Sequence, residues 1–181
     1  MSRLFGPMRQ IGFSVRDLDG ALKYWTETLG IGPFFVVRRL PLESFWYYGK
    51  PSPPPHLTLA IASSGDVQVE LIQQHDDRPS GFLDRLARGG DGLQHVSSWV
   101  DRPGYDIELA RLRTAGVPIA HEGWIAGDGP RFAFFATDAI PGGFQFEIAD
   151  VGDPKFAAMG ITIREAATGW DGSQPIRELV L

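Results

Sequence analysis

The sequence predicts an α+β fold built from two modules of similar order, each consisting of a strand, a helix and then about three strands. A six-residue phrase occurs at 67–72 and again at 144–149, and both copies alternate apolar residues with a glutamine and a glutamate. A strand-like segment precedes each copy, at 10–15 and at 95–100. Short segments that alternate in this way are typical of half-buried strands. The recurrence therefore predicts one arrangement that is used twice.

The first module begins with the strand at 10–15, after which Asp17 can cap a helix. Apolar residues recur at helical spacing up to Gly30, and a glycine commonly ends a helix in this way. Three further strands are predicted at 34–40, 57–62 and 67–73.

The second module repeats this order. After the strand at 95–100, a helix is predicted from about Tyr105 to Gly116, again with a proline soon after its end. Its three further strands are predicted at 119–122, 132–136 and 143–148.

The two modules match almost without gaps at first and then differ in length. His95 follows Gln10 by 85 positions, but Glu147 follows Glu70 by only 77, so the first module contains an insertion. We place it at 43–55, where aromatic residues precede a proline-rich turn. The predicted boundaries within this single domain are 7–75 for the first module, 76–90 for a linker with a short helix, 91–150 for the second module and 151–181 for a C-terminal extension.

Composition excludes several classes of function. The 181 residues include no cysteine, which excludes disulfides, thiolate metal sites and thiol catalysis. A net charge of -5 gives no electrostatic reason to expect nucleic acid or an anionic membrane as a partner. No apolar run has the length of a signal peptide core or a membrane span, so a cytoplasmic location is expected by default.

Four side chains with oxygen or nitrogen donors occupy paired positions of the repeat. Gln10 and His95 stand at the start of the leading strands, and Glu70 and Glu147 stand in the two copies of the phrase. Successive strand residues point to opposite faces of a sheet, so the apolar faces are expected to pack on helices and the donors to line a concavity. We predict that these four residues bind one divalent metal ion. The donor set suits Zn, Ni, Co, Mn or Fe(II), and composition does not choose among them.

Four segments in this order resemble the vicinal-oxygen-chelate superfamily, which includes glyoxalase I, methylmalonyl-CoA epimerase, extradiol dioxygenases and bleomycin resistance proteins. The segments are RQIGFSVRDLDGALKYWTETLGIGPF, VQVELIQ, LQHVSSWVD and GFQFEIAD. The resemblance implies two paired βαβββ modules that form an open, barrel-like mixed sheet with helices on the outside and one metal ion in the cleft. It also implies a small-molecule substrate and is compatible with a homodimer. The family's four ligand positions match Gln10, Glu70, His95 and Glu147.

The function expected from this resemblance is that of a metal-dependent isomerase or lyase of the glyoxalase type. A divalent ion acts as a Lewis acid on a substrate carbonyl, and a carboxylate beside it can remove the neighbouring proton. We expect Glu147 to be the main base and Glu70 to take the opposite role. Glu43 lies in the region that supplies an acidic residue in the epimerase and is a weaker candidate for a second acid.

The substrate region departs from that of glyoxalase I. Two arginines that bind glutathione in that enzyme correspond here to Ser14 and Asp91, which argues against a glutathione adduct. The aromatic insertion favours a larger apolar or thioester-type substrate, and stacking of these rings in a core would explain it equally well. Candidate substrate-binding residues are Phe45, Trp46, Tyr48 and Trp99.

Two alternative functions remain open at the level of sequence. An extradiol dioxygenase holds Fe(II) with two histidines and one carboxylate, and Gln10 in place of a histidine counts against it. A metal-free protein that sequesters a drug is the other alternative, and the intact set of four donors counts against that.

Overall fold

The structure, a computed structural model, describes residues 2–125, 129–138 and 143–181. These ranges contain a mixed sheet of eleven strands and four α-helices, so the predicted α+β class is confirmed. The strands are β1 (Met8–Ser14), β2 (Phe34–Val37), β3 (Leu42–Tyr47), β4 (Lys50–Pro51), β5 (Leu57–Ser64), β6 (Val67–Gln74), β7 (Gly92–Val100), β8 (Ile119–Ile125), β9 (Arg131–Phe135), β10 (Gln145–Asp150) and β11 (Ile176–Glu178). The helices are α1 (Leu18–Lys23), α2 (Gly81–Gly89), α3 (Arg102–Thr114) and α4 (Pro154–Ala167), and a π-helical turn at Tyr24–Thr28 continues α1.

The order of strands in the sheet follows the predicted repeat. It runs β11-β2-β5-β6-β1-β7-β10-β9-β8-β3-β4. The leading strands β1 and β7 are antiparallel neighbours at the centre, β6 lies parallel to β1, and β10 lies parallel to β7. The two strands that carry the repeated phrase therefore flank the two leading strands symmetrically. The module boundaries at 75, 90 and 150 stay a prediction.

The chain connection between β2 and β3 requires the sheet to curve. These two strands are eight strand spacings apart in the sheet, which would separate them by roughly 38 Å if the sheet were flat. The four residues 38–41 that join them can span no more than about 18 Å. The sheet must therefore bend until its ends face each other, which gives the open, barrel-like shape and its concave face.

The apolar side chains of the repeat pack on helices at the convex face, as the alternation predicts. Val69 and Leu71 of β6 belong to a buried cluster with Leu18 and Leu22 of α1. On the other half, Ile148 of β10 packs in a cluster that also contains the α3 residues Tyr105 and Leu109. Because one face of each strand packs against a helix, the alternate side chains must face the concavity.

The insertion at 43–55 forms two strands that the sequence reading did not assign. β3 pairs with β8, and the short β4 pairs with β3, so the insertion extends the far edge of the second half of the sheet. The strand predicted at 34–40 ends at Val37 because the chain turns there to cross to that edge.

The C-terminal extension covers part of the concave face. Ile163 of α4 is fully buried and clusters with Phe35 and Ile61 of the first half of the sheet. After α4, β11 adds to the sheet beside β2 in parallel orientation. Among the described residues, none of the helices is long and apolar enough to cross a membrane.

Candidate functional site

Four adjacent strands present a polar floor at the centre of the concave face. Strand pairing across β6, β1, β7 and β10 aligns eight residues of this face in two rows of four. One row contains Gln68, Gln10, Ser97 and Glu147, and the other contains Glu70, Gly12, His95 and Gln145. We call these eight residues the polar floor. All four sequence-predicted metal ligands belong to it.

Three of those predicted ligands approach one nitrogen atom of the fourth. The Nε2 atom of His95 lies 3.2 Å from Oε1 of Gln10, 3.5 Å from Oε2 of Glu70 and 3.7 Å from Oε2 of Glu147. The His95 ring is completely buried, and the other three residues are less than 10% exposed. The repeat therefore brings its four paired donors to a single point.

Hydrogen bonds define the protonation of the His95 ring. Its Nδ1 atom lies 2.6 Å from Oε1 of Gln94, and the amide group of Gln94 donates in turn to Gln145 at 2.8 Å. An amide oxygen only accepts, so Nδ1 carries the proton and Nε2 presents a lone pair. When Glu70 and Glu147 are ionised, four acceptor atoms consequently face one another, which is unfavourable unless a cation joins them.

Glutamine side chains orient both leading ligands. The Nε2 atom of Gln10 donates to Oε1 of Gln68 at 2.6 Å, which turns the Gln10 oxygen toward His95. Gln94 and Gln145 do the same for His95 from the other half of the repeat. Partners of this kind orient ligands and tune metal affinity in known sites. Sequence reading missed their role, although Gln68 and Gln145 stand in the repeated phrase itself.

A β-bulge brings Gln94 to the same side of the strand as its neighbour His95. Gly12 pairs with His95 while Phe13 pairs with Leu93, so Gln94 is an extra residue on β7. Strict alternation would have pointed Gln94 toward the helices, but an extra residue shifts the direction of the side chains. No pattern in the sequence marks this bulge.

Gly12 leaves the space that the imidazole ring of His95 occupies. A Cβ atom built at Gly12 would overlap the His95 ring directly. Gly12 lies between Glu70 on one side and His95 on the other. The absence of a side chain there allows the two ligands to meet across an intervening strand.

The residues of the polar floor fit a divalent metal ion. Donors bound to one ion at about 2.0–2.2 Å lie about 3.0–3.5 Å apart, close to the separations seen around His95. The Oε2 atom of Glu147 is buried and has no hydrogen-bond partner in the part of the chain that the structure describes. Within the same part, no three histidine, aspartate or glutamate side chains stand in ready-made ligand geometry. Ion binding therefore requires small shifts of the carboxylates, with the Gln10 oxygen as a further donor.

Burial shifts the pKa values of the three titratable residues among the predicted ligands. Desolvation, with a smaller repulsion from Glu147, raises the pKa of Glu70 to about 8. Desolvation also raises the pKa of Glu147 to about 7 and lowers the pKa of His95 to about 3. Without a cation, the site is therefore most stable with a neutral imidazole and protonated carboxyl groups.

Metal-free protein is expected to lose stability as pH rises from about 6.5 to about 8. Above pH 4.5 the unfolded chain has ionised Glu70 and Glu147, whereas the folded chain still holds their protons, so a rising pH favours unfolding. The pKa values of buried His95 and His121 are both lowered to about 3, so these residues make stability increase with pH, but only below pH 6.5. The loss over this window should be on the order of 2 kcal/mol.

Calorimetric melting between pH 6 and 8.5 in EDTA tests this pH dependence. A divalent ion binds the ionised carboxylates, so its addition should remove the decline. Glu70→Gln should remove most of the slope even in EDTA. A melting temperature that is constant or increases from pH 6.5 to 8 in EDTA would contradict the assigned shifts.

A cavity of about 550 Å³ opens above the polar floor. Gln10, Glu70 and Glu147 border it, and Trp99 is the one predicted substrate-binding residue found among its described lining residues. Apolar side chains from both halves of the sheet and from α4 form its walls. This cavity is the place where a small molecule can meet the four donors.

The other predicted substrate-binding residues lie elsewhere because the insertion forms an edge strand. Phe45 is buried against His121, with 5.4 Å between ring centroids. Trp46 packs on Trp124, and Trp46 and Tyr48 border a separate depression on the opposite side of the second half. Glu43, on the same strand, is exposed and does not border the main cavity in the described structure.

The match to a family model decides the family. Residues 9–135, more than half of the chain, match the model described as the glyoxalase/bleomycin resistance protein/dioxygenase superfamily. The chain belongs to this superfamily. The resemblance read from the repeated segments is thereby confirmed.

Several solved structures share the fold at low sequence identity. Methylmalonyl-CoA epimerase from Mycobacterium tuberculosis is 24% identical, with 87% of this chain and 95% of that chain covered and a TM-score of 0.56. A hypothetical protein from Bacillus halodurans C-125 is 16% identical, with 80% and 93% covered and a TM-score of 0.57. A variant of Streptomyces coelicolor methylmalonyl-CoA epimerase, in complex with 2-nitronate-propionyl-CoA, is 18% identical, with 79% and 95% covered and a TM-score of 0.51. No curated protein matches the chain.

Proposed function

We propose that the protein is a divalent-metal-dependent isomerase or lyase that removes a proton next to a carbonyl group of a small apolar substrate. One observation carries this proposal. Two buried carboxylates and an amide oxygen converge within 3.7 Å of the unprotonated Nε2 atom of His95, at the base of a cavity. Ionised carboxylates buried beside an unprotonated ring nitrogen are costly in an apo protein, which keeps protons on them instead, and favourable around a cation.

Gln10, Glu70, His95 and Glu147 are the ligands in this proposal. The two carboxylates balance the charge of a divalent ion, and the single imidazole with three oxygen donors suits Zn, Ni, Co, Mn or Fe(II). The short contacts of Gln68 to Gln10 and of Gln94 to His95 support the assignment, since they hold the donor atoms toward the common point.

The two glutamates border the cavity from opposite sides of His95, an arrangement that suits proton transfer. A bound ion would supply a Lewis acid that polarises the substrate carbonyl. Glu147 borders the cavity from β10, so its carboxylate is placed to accept a proton from the carbon next to that carbonyl. Glu70 borders the cavity from β6 and is placed to return a proton from the other side of the site. Two of the structural neighbours are named as epimerases, which agrees with this type of chemistry. Their low sequence identity to this chain shows a shared fold alone.

Incorporation of solvent deuterium next to a ketone carbonyl tests the proposal. Protein loaded with Zn²⁺, Ni²⁺, Co²⁺ or Mn²⁺ is incubated in D₂O with a panel of ketones and ketoacids that vary in apolar size, and exchange is followed by NMR. We expect exchange with at least one ion and its loss on treatment with EDTA. Equal exchange with and without chelator would contradict a metal-dependent reaction.

A non-catalytic binding protein is the second candidate, and the cavity itself favours it. A space of about 550 Å³ with mostly apolar walls can hold a small molecule without any chemistry. Elemental analysis discriminates the two functions: protein purified without chelator should contain close to one divalent ion per chain if the enzyme assignment holds. The homodimer and the cytoplasmic location remain predictions that accompany the proposal.

A further inference from the structure

The cavity above the polar floor is apolar on most of its sides. Leu59 and Ile72 line it from the first half of the sheet, Phe132 and Phe134 line it from the second half, and Phe82 enters from α2. The polar side chains of the described lining lie at the floor or at the rim. A ligand that fills this space must present an apolar body to the walls.

The C-terminal extension supplies another apolar wall of this cavity. Phe156, Met159 and Ile161 of α4 border the space, and the fully buried Ile163 fixes the helix on the sheet beside them. Because α4 covers part of the concave face, it limits the length of the molecule that can enter.

A second β-bulge turns a cationic side chain toward the same cavity. Met8 pairs with Ser98 and Gln10 pairs with Ser97, so Arg9 is an extra residue between them on β1. Regular alternation would direct Arg9 away from the face that Gln10 occupies, but the bulge redirects it, and Arg9 borders the cavity. Arg9 is only partly exposed.

Arg9 has no anionic partner in the part of the chain that the structure describes. It makes no hydrogen bond or ion pair with any residue in 2–125, 129–138 or 143–181, whereas the other arginine at the rim, Arg164, contacts Asp66 at 3.2 Å. A divalent ion at the floor would neutralise Glu70 and Glu147, which leaves Arg9 as an uncompensated positive charge beside an apolar space. One guanidinium group suits one carboxylate, with which it can form paired hydrogen bonds.

We infer that the cavity binds a monocarboxylate with an apolar body at least the size of a benzene ring or a branched alkyl chain, and that Arg9 pairs with its carboxylate. The apolar body lies among Leu59, Phe82, Phe134 and the side chains of α4. This inference rests on the proposed function for the reacting carbonyl, which would stand above His95. A substrate of this class carries both an enolisable carbonyl group and a separate carboxylate.

Calorimetric titration of the full-length chain in EDTA tests the binding class without metal chemistry. The probes are 3-phenylpropionate, its neutral analogue 3-phenylpropanamide, and propionate, which lacks the ring. We expect 3-phenylpropionate to bind at least about tenfold more tightly than propionate, because the walls bury its ring. Arg9→Gln should weaken 3-phenylpropionate binding by about tenfold or more and change 3-phenylpropanamide binding by less than about twofold.

Arg39→Gln is the matched control, since Arg39 is an exposed arginine outside the cavity and its replacement changes the net charge equally. It should leave both affinities unchanged. Arg9→Lys, which keeps the charge but not the planar fork, should fall between wild type and Arg9→Gln. The inference is overturned if 3-phenylpropionate fails to bind at millimolar concentration, if propionate binds equally well, or if the Arg9→Gln and Arg39→Gln variants behave alike.

Deuterium exchange with matched ketoacids separates this inference from the proposed function. For each ketoacid, the rate with metal-loaded protein is divided by the uncatalysed rate. This ratio should be at least tenfold larger for 4-oxo-4-phenylbutyrate than for 4-oxopentanoate. Exchange of 4-oxopentanoate alone would contradict the substrate class and leave the proton-transfer function intact. Binding of 3-phenylpropionate that depends on Arg9, without exchange of either ketoacid under any metal, would support the binding class and contradict the enzyme.

Discussion

Replacing Glu147 by glutamine is expected to lower the rate of proton exchange next to the substrate carbonyl by roughly 10²–10⁴-fold. The amide cannot accept a proton, so the base is lost, while its oxygen can still serve as a metal donor in the way proposed for Gln10. Metal content should therefore change much less than the rate. The measurement is NMR-detected exchange in D₂O, with elemental analysis of the same samples.

Glu27→Gln provides the control for this substitution. Glu27 is exposed in the π-helical turn after α1, outside the cavity, and its replacement changes the net charge in the same way. Its exchange rate should equal that of wild type. Full exchange by Glu147→Gln would contradict its role as base, and a large loss in Glu70→Gln with none in Glu147→Gln would reverse the assigned roles.

Replacing Gly12 by alanine is expected to abolish metal binding and to lower the free energy of unfolding by about 1–3 kcal/mol. The added methyl group would overlap the His95 ring, and both residues lie in paired central strands that cannot separate easily. The ring must rotate or shift, which removes Nε2 from the point where the four donors meet. Urea unfolding with and without a divalent ion should show that the ion no longer stabilises the variant.

Two further variants isolate the contact between Gly12 and His95. Gly160→Ala adds the same methyl group on α4, where a Cβ atom meets nothing within 4 Å, and should be neutral or stabilising by up to about 1 kcal/mol. Combining Gly12→Ala with His95→Ala removes the ring that the methyl group meets, so the double variant should be less destabilised than the sum of the single variants. Gly12→Ala protein that keeps wild-type metal affinity would contradict the proposed position of His95.

The repeated phrase predicts the fold well because its information is local. Alternation in 67–72 and 144–149 assigns Val69, Leu71 and Ile148 to the helix-covered face, and the structure places all three there. The opposite face then receives Glu70 and Glu147 by the geometry of a strand. The confirmed fold class rests on this period of two and on the order of strand, helix and strands.

The two β-bulges could not be predicted from the sequence. Gln94 and Arg9 each stand next to a predicted ligand, and strict alternation would direct both away from it. Each is the extra residue of a bulge in the pairing of β1 with β7. Such pairing depends on two segments that are distant in the sequence, so neither bulge leaves a local pattern. The hydrogen bond that fixes the His95 tautomer and the cationic group at the cavity are therefore visible only in three dimensions.

The walls of the cavity were also beyond sequence reading. The aromatic insertion was predicted to contact the substrate. Its strand β3 pairs instead with β8, where Trp46 packs on Trp124, and other residues line the cavity. The extension at 151–181 carries no repeat, so only its packing on β5 places Phe156 and Met159 against the site. Long-range packing decides both outcomes.

Anomalous diffraction from crystals soaked in Ni²⁺ or Mn²⁺ tests the central claim most directly. We predict one strong peak per chain, about 2.0–2.3 Å from Nε2 of His95 and from oxygen atoms of Gln10, Glu70 and Glu147. The hydrogen bond from Nδ1 of His95 to Gln94 should persist. Absence of a peak at the polar floor, or an ion bound only at surface carboxylates, would contradict the proposal that the repeat builds a metal centre.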